Sequence, residues 1–468
     1  MAGRGRTGHN AIITAVLLAA LFGGFTYGFV VDETRSGPYP VAKRGFEWAR
    51  HRPAIRRLYR FFVRRPEDPE DKVKGSWGPV PDRGDSKARG GDDADAGFQA
   101  VGYLSGYEPA PDLKGVTVYV PGMAFDGLNL ITSGHGQEAL LVDMEGRILH
   151  RWACSFEEAF PAYADVESTD PDDPFYRYFW RRCHLYDNGD LLVIYENFGM
   201  VKLDKRSNVI WAVANGCHHD IYVTAEGLIY TLTHKVRETT GHGRHQRISE
   251  GFVTVLDPDG TEVRRVSILE AFRNSSYAPI MDAGKPIVDM FHTNTVQVFE
   301  RTRSADSRIF KKGNVLISVR NLDVLAVIDM ESEQVIWALS GMWRAQHQPE
   351  LLTGCHILVF DNKGNGGMSK VIEFDPLTQE IVWSYDGTPE NGFYSESSGA
   401  AYRLPNGNTL IVESNDGRAF EVTRDKRIVW EYYNPFRAGE NDELIATLFD
   451  VVRLPPDFPT EWLAAVDD

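Results

Sequence analysis

The chain has 468 residues, with 43% apolar and 12% aromatic side chains and a formal net charge of −16. That composition is ample for a large packed core and excludes a disordered or collagen-like chain. The charge is divided: up to Arg65 there are 12 Lys and Arg against 3 Asp and Glu, leaving 38 against 63 beyond it. So acidic a remainder is a poor partner for nucleic acid, and any anion must be held by a local constellation of cations.

In chain order the first element is Ala11–Val31, 21 residues without a charge and long enough to cross a bilayer as a helix. Arg4 and Arg6 precede it and no small-x-small cleavage site with a convincing boundary follows, so it reads as an uncleaved signal anchor and transmembrane helix, a cleaved signal peptide being the alternative. On its other flank Arg35, Lys43, Arg44 and Arg50 outnumber those two, and the Lys and Arg count alone would keep the following domain inside. Ala54–Arg65, between Pro53 and Pro66, puts Ile55, Leu58, Tyr59 and Phe62 on one helical face with Arg56, Arg57, Arg60 and Arg64 around the rest. This pattern suits either an anionic membrane surface or packing on the next domain. Rich in Pro, Gly, Asp and Lys, the stretch from 66 to 98 reads as a flexible stalk.

Beyond it the sequence repeats. Each unit is a turn, an apolar strand, a strand ending apolar-Asp, and a strand ending in Trp. The units run through Leu141-Val142-Asp143 to Trp152, Leu203-Asp204 to Trp211, Val327-Ile328-Asp329 to Trp337, Phe374-Asp375 to Trp383, and Phe420-Glu421-Val422 to Trp430. A degraded copy, Val255-Leu256-Asp257 to Val266, lacks the Trp. Six units of short strands joined by Asn-Gly and Asp-Gly turns predict an all-β, six-bladed β-propeller, each terminal Trp filling the wedge between blades. The expected organisation is 1–31 tail and anchor, 32–98 basic helix and linker, 99–453 propeller and 454–468 C-terminal tail.

In a propeller the innermost strands line a central channel, so residues at the start of each unit converge. His184, His219, His292 and His347 all stand on the lead-in to an apolar run; His219 is eight residues ahead of Gly227 and His347 seven ahead of Gly354. Arg320 follows Leu316-Ile317-Ser318-Val319 as a charge where a strand wants none, and so faces a polar channel or an anion. Four cysteines, Cys154, Cys183, Cys217 and Cys355, have no Cys-x-x-Cys spacing and leave open two disulfides or four buried thiols.

Over roughly Gly115 to Pro435 the chain resembles the bacterial arylsulfate sulfotransferases. The resemblance rests on His218-His219-Asp220, His292-Thr293-Asn294, Ser318-Val319-Arg320, Gln346-His347 with Phe360-Asp361-Asn362, and Arg403-Leu404-Pro405-Asn406-Gly407-Asn408-Thr409-Leu410. It implies a periplasmic six-bladed propeller, which the anchor would tether to the inner membrane, that passes a sulfuryl group from a phenolic sulfate donor to a phenol acceptor, independent of a sulfonucleotide and of any cofactor. It also implies that His347 is transiently sulfated, with His219, His292 and Arg320 catalytic and Asn294, His218 and Gln346 about the substrate, where the repeat phase adds His184. The enterobacterial members carry an N-terminal β-domain for dimerisation, which residues 66–98 cannot supply. Two rival readings stand beside this one. A metal centre could be built from His219, Asp220, His292 and His347, or the chain could be a membrane-anchored, non-catalytic subunit of a protein complex.

Overall fold

In the computed structural model the described residues are 108–163, 179–241, 244–283, 289–302, 308–438 and 442–465. The expected anchor, basic helix and stalk lie outside them. Among the described residues no helix is long and apolar enough to cross a membrane.

Six antiparallel sheets form the propeller. Blade 1 is closed by the chain's two ends: its innermost strand is Leu448–Leu454, paired with Leu128–Ser133, Glu138–Val142 and Ile148–Ala153. Blades 2 to 5 each use four consecutive strands, starting from Trp180–Leu185, Cys217–Val223, Thr293–Val298 and His347–Leu351. Blade 6 starts at Ala400–Arg403, and Gly115–Tyr119 is added as a fifth, outermost strand. The six expected units are these six blades. Leu454 ends the closing strand, and Trp462 beyond it packs into the core between blades 1 and 2.

The repeat has visible physical causes. In blades 1 to 5 the Asp at the end of the third strand accepts hydrogen bonds from the backbone of the following turn, as Asp204 does from Arg206 and Asn208 and Asp257 from Asp259 and Thr261, and in blade 6 Thr423 Oγ1 takes that place, accepting from the Arg427 N–H. Four of the five terminal Trp residues donate their indole N–H across the seam to the next blade. Trp152 reaches Gly189 O (3.1 Å), Trp211 reaches Pro258 O (3.1 Å), Trp383 reaches Arg424 O (2.9 Å) and Trp430 reaches Met144 O (3.0 Å).

What positions the centre is an irregularity. The innermost strands of blades 1 to 5 all shift register near their N-terminal ends. Such bulges turn side chains away from the regular alternation and into the channel.

Candidate functional site

At mid-channel the bulges build a hub around Arg182 from blade 2. Its guanidinium donates to Tyr402 Oη of blade 6 (2.7 Å) and Gln348 Oε1 of blade 5 (2.5 Å), and pairs with Asp450 of blade 1. Its Nε lies 3.3 Å from Asp220 Oδ1 of blade 3. Blade 4 joins through the Val296 N–H, which donates to Asp220 Oδ2 (3.0 Å), and through Thr295 Oγ1, which accepts from the Gln348 N–H (3.1 Å). Five blades therefore meet at one buried cation, and blade 4 bonds two of its partners. On the side of the hub toward which the innermost strands run lies a cavity of about 990 Å³, lined in part by His184, Tyr186, Lys202, Glu300, Arg453 and Phe458.

On the hub's other side three of the expected histidines, all buried, and the half-buried Arg320 gather in one cluster, the chamber. His219 and His292 meet edge to face, ring centres 5.0 Å apart. His347 is buried, its ring kept neutral, first by desolvation and then by the nearby Arg320, Arg181 and His292 charges. Arg320 stands just past the strand Val315–Val319, opening the turn at the hairpin tip, and its N–H donates to His292 O (3.3 Å).

Each histidine is oriented differently. His347 Nδ1 faces two acceptors, Asn362 Oδ1 at 2.8 Å and Ala345 O at 3.1 Å. The Asn362 amide is itself fixed, because its Nδ2 donates to Ser395 O (2.9 Å) and Ser398 O (2.8 Å). Nδ1 must therefore carry the proton, and Nε2 is left with its lone pair. His292 Nδ1 is 2.6 Å from Asp289 Oδ2, while Asp289 Oδ1 accepts the His292 N–H at 2.8 Å. His219 Nδ1 is 3.1 Å from Glu196 Oε1, and Glu196 Oε2 accepts the His219 N–H at 3.0 Å. Among the described residues His219 Nε2 has no hydrogen-bond partner. Burial, then the His218 and His292 charges, hold the His219 ring well below the usual imidazole range.

The remaining expected residues stand elsewhere. His218 backs His219, Nδ1 to Nδ1 at 2.8 Å, with its other side against His234. Gln346 is fully buried and spends its amide N–H groups on Ser318 Oγ, Val319 O and Val324 O. Asn294 Nδ2 donates to Gln346 O (2.9 Å), so these two pin blade 4 to blade 5. His184 is not brought to the chamber; it packs edge-on against Tyr186 beyond the hub. The set weighed as a metal centre is divided, since Asp220 faces Arg182 and His347 faces Asn362. Glu196, His218 and His219 do bring ligand-type atoms within 4.8 Å of one another. Their 2.8 and 3.1 Å contacts are hydrogen-bond lengths, shorter than the roughly 3.3 Å between two ligands on a tetrahedral zinc with bonds near 2.0–2.1 Å. All four cysteines are free thiols, three of them buried.

Glu196, Asp289 and Arg181 belong to this chamber and were not singled out from the sequence. Arg181 carried a readable signal. It stands eight residues ahead of the left-handed turn residue Gly189, as His219 does of Gly227 and His347 of the left-handed Cys355, whereas His184 is only five ahead.

The family model described as Arylsulfotransferase (ASST) matches residues 183–435, more than half of the chain. No curated protein matches it. Among solved structures, a protein of unknown function from Bacteroides caccae is 12% identical with a TM-score of 0.44, covering 69% of this chain and 98% of that one. A streptogramin B lyase is 15% identical with a TM-score of 0.38, covering 70% and 89%.

Proposed function

The chain belongs to the arylsulfotransferase family, and on that premise we propose that it moves a sulfuryl group from a phenolic sulfate ester to a phenol through a sulfohistidine at His347. The observation that carries this reading is the lock on His347: Asn362 Oδ1 and Ala345 O hold Nδ1–H, and burial keeps the ring neutral, so Nε2 is a standing nucleophile.

In the first half-reaction the Nε2 lone pair forms the N–S bond as the S–O(aryl) bond breaks, its electron pair leaving with the phenolate. The ring, bonded at Nε2 and protonated at Nδ1, becomes cationic, and that charge is shared with Asn362 Oδ1 and makes the adduct a good donor. Arg320 and His292 stabilise charge on the sulfuryl and phenolate oxygens. In the second half the acceptor phenol gives its proton to His219 Nε2, its oxygen attacks sulfur, and the N–S electron pair returns to His347. Glu196, 3.1 Å from His219 Nδ1, steadies the imidazolium that forms. The proton then passes to water.

Mass spectrometry after incubation with an activated aryl sulfate is the test. A phenol burst and a sulfuryl adduct on His347 are expected, discharged by a second phenol and absent in His347→Asn. Unchanged transfer in that variant would reject the mechanism, and no transfer to a broad phenol panel in the wild type would favour the non-catalytic subunit. Residues 11–31 as an inner-membrane anchor and a periplasmic propeller complete the proposal. A periplasm-dependent reporter fused after Asp468 should be active; activity only from a cytoplasmic reporter would overturn that location.

A further inference from the structure

His347 keeps its Nε2 lone pair only while the Asn362 amide faces it oxygen first. Turned over, the amide would present Nδ2 to His347 Nδ1, which would then have to accept, and the ring proton would move to Nε2. The two ends of an amide are nearly alike in shape, so packing alone does not choose between them. The choice is made by the Ser395 and Ser398 carbonyls, 2.9 and 2.8 Å from Nδ2, because the reversed amide would set its oxygen against both.

Both carbonyls belong to one turn on the connection from blade 5 to blade 6, outside any sheet. Ser398 (φ +55°) and Gly399 (φ +97°) are left-handed, and with that bend the two carbonyls converge on the same nitrogen. Side chains from two blades tie the turn down. From blade 5, Ser369 Oγ accepts the Ser395 N–H (2.9 Å) and donates to Asn362 O (2.9 Å), so one hydroxyl sets the turn against the residue it orients. From blade 6, Asn415 Oδ1 accepts the Ser397 N–H (3.1 Å), and the Asn415 N–H donates to Ser395 Oγ (3.2 Å). Asn415 stands on the tip Ser414–Asp416, the counterpart in blade 6 of the tips that carry Glu196 in blade 2 and Arg320 in blade 4. Ser369, Ser395 and Asn415 are all buried, so a bond lost among them is not made good by bulk water.

We propose that Ser369 and Asn415 are positioning residues for His347. By holding the Ser395–Ser398 turn from two blades they fix which end of the Asn362 amide meets the ring, and so which ring nitrogen carries the proton. The consequence for transfer rests on His347 being the nucleophile; the tautomer itself does not.

The test is ¹⁵N NMR of the full-length protein labelled at histidine, with the His347 signals identified by their loss in His347→Asn. Wild type should show one tautomer, protonated at Nδ1. Ser369→Ala, which removes a single oxygen, and Asn415→Ala should each bring in a second population protonated at Nε2. Each should also slow the burst from an activated aryl sulfate about 10-fold with little change in KM, the effect of one neutral hydrogen bond lost behind the ring. Ser369→Ala decides the matter should Asn415→Ala not fold. A single Nδ1-protonated signal in a folded variant overturns the proposal even where the burst slows, because the residue then serves only the frame. So does a wild type protonated at Nε2. The nitrogen signals need no turnover, so a wild type inert toward aryl sulfates would sink the transfer reading and still leave Ser369 and Asn415 to be decided by the spectra.

Discussion

The three chamber histidines differ in the group that faces Nδ1: a neutral amide for His347, a carboxylate for His292, and a carboxylate shared with a second imidazole for His219. A carboxylate can share the charge of a ring that accepts a proton and so suits acid–base work, whereas a neutral amide only fixes the tautomer and suits a nucleophile. Asn362→Ala should therefore free His347 to rotate and change tautomer. Adduct formation is expected to slow by about 10²-fold with little change in KM, read by burst kinetics; an unchanged burst would show that the amide is not what orients the ring. The sequence made His219, His292 and His347 legible because they stand on the lead-in to apolar runs, and Arg320 because it ends one as a charge. Glu196 and Asp289 stayed hidden because they sit on a hairpin tip and an inter-blade connection, where polar residues are ordinary. Arg181 is masked for a different reason: Arg182 beside it makes an ordinary-looking basic pair at the start of a strand.

At the scale of elements the bulges decide which way those side chains face, and they demand unusual backbone. His219 (φ +62°), His292 (φ +44°) and Gln348 (φ +47°) are all left-handed, and no residue type there announces it. Such conformations cost on the order of 1–3 kcal/mol each and persist only where the surroundings over-determine them. Ring closure was equally silent, because a strand drawn from the far end of the chain carries no local signal. Its closing strand is anchored by Arg453, whose Nε donates to Asn129 Oδ1 (2.6 Å) and whose Nη1 pairs with the fully buried Glu421 at 3.0 Å. Arg453→Met should cost about 3–5 kcal/mol, chiefly because it leaves the Glu421 charge buried and unpaired. Adding Glu421→Gln should recover part of that loss in urea denaturation. Strictly additive losses would show that the pair is not coupled.

For the whole molecule, buried imidazoles stand on both sides of the Arg182 hub, in the chamber and in the cavity of about 990 Å³, the lower one. Burial pushes His184 down to about 4 in the lower cavity and His218 down to about 3 behind the chamber, while His219 and His347 are also well depressed. In the unfolded chain these rings titrate near 6.5. Below that pH the unfolded state binds protons that the folded state refuses, so stability falls as pH drops from about 6.5 toward each folded value. Asp220, raised by burial to about 6, and Glu196, also raised, act in the opposite sense, since each takes up its proton earlier in the fold. His184 is the cleanest member of the set to test, because it stands outside both the chamber and the hub. His184→Gln removes a ring whose protonation the fold resists, so its effect relative to wild type should become more favourable as pH falls. The shift should approach, and not exceed, about 1.4 kcal/mol per pH unit between about 6.5 and 4. Paired urea denaturation at pH 7 and pH 4.5 measures it. A wild-type-to-variant difference identical at both values would mean that His184 titrates in the fold as it does in the open chain, and that the lower cavity is as wet as bulk solvent.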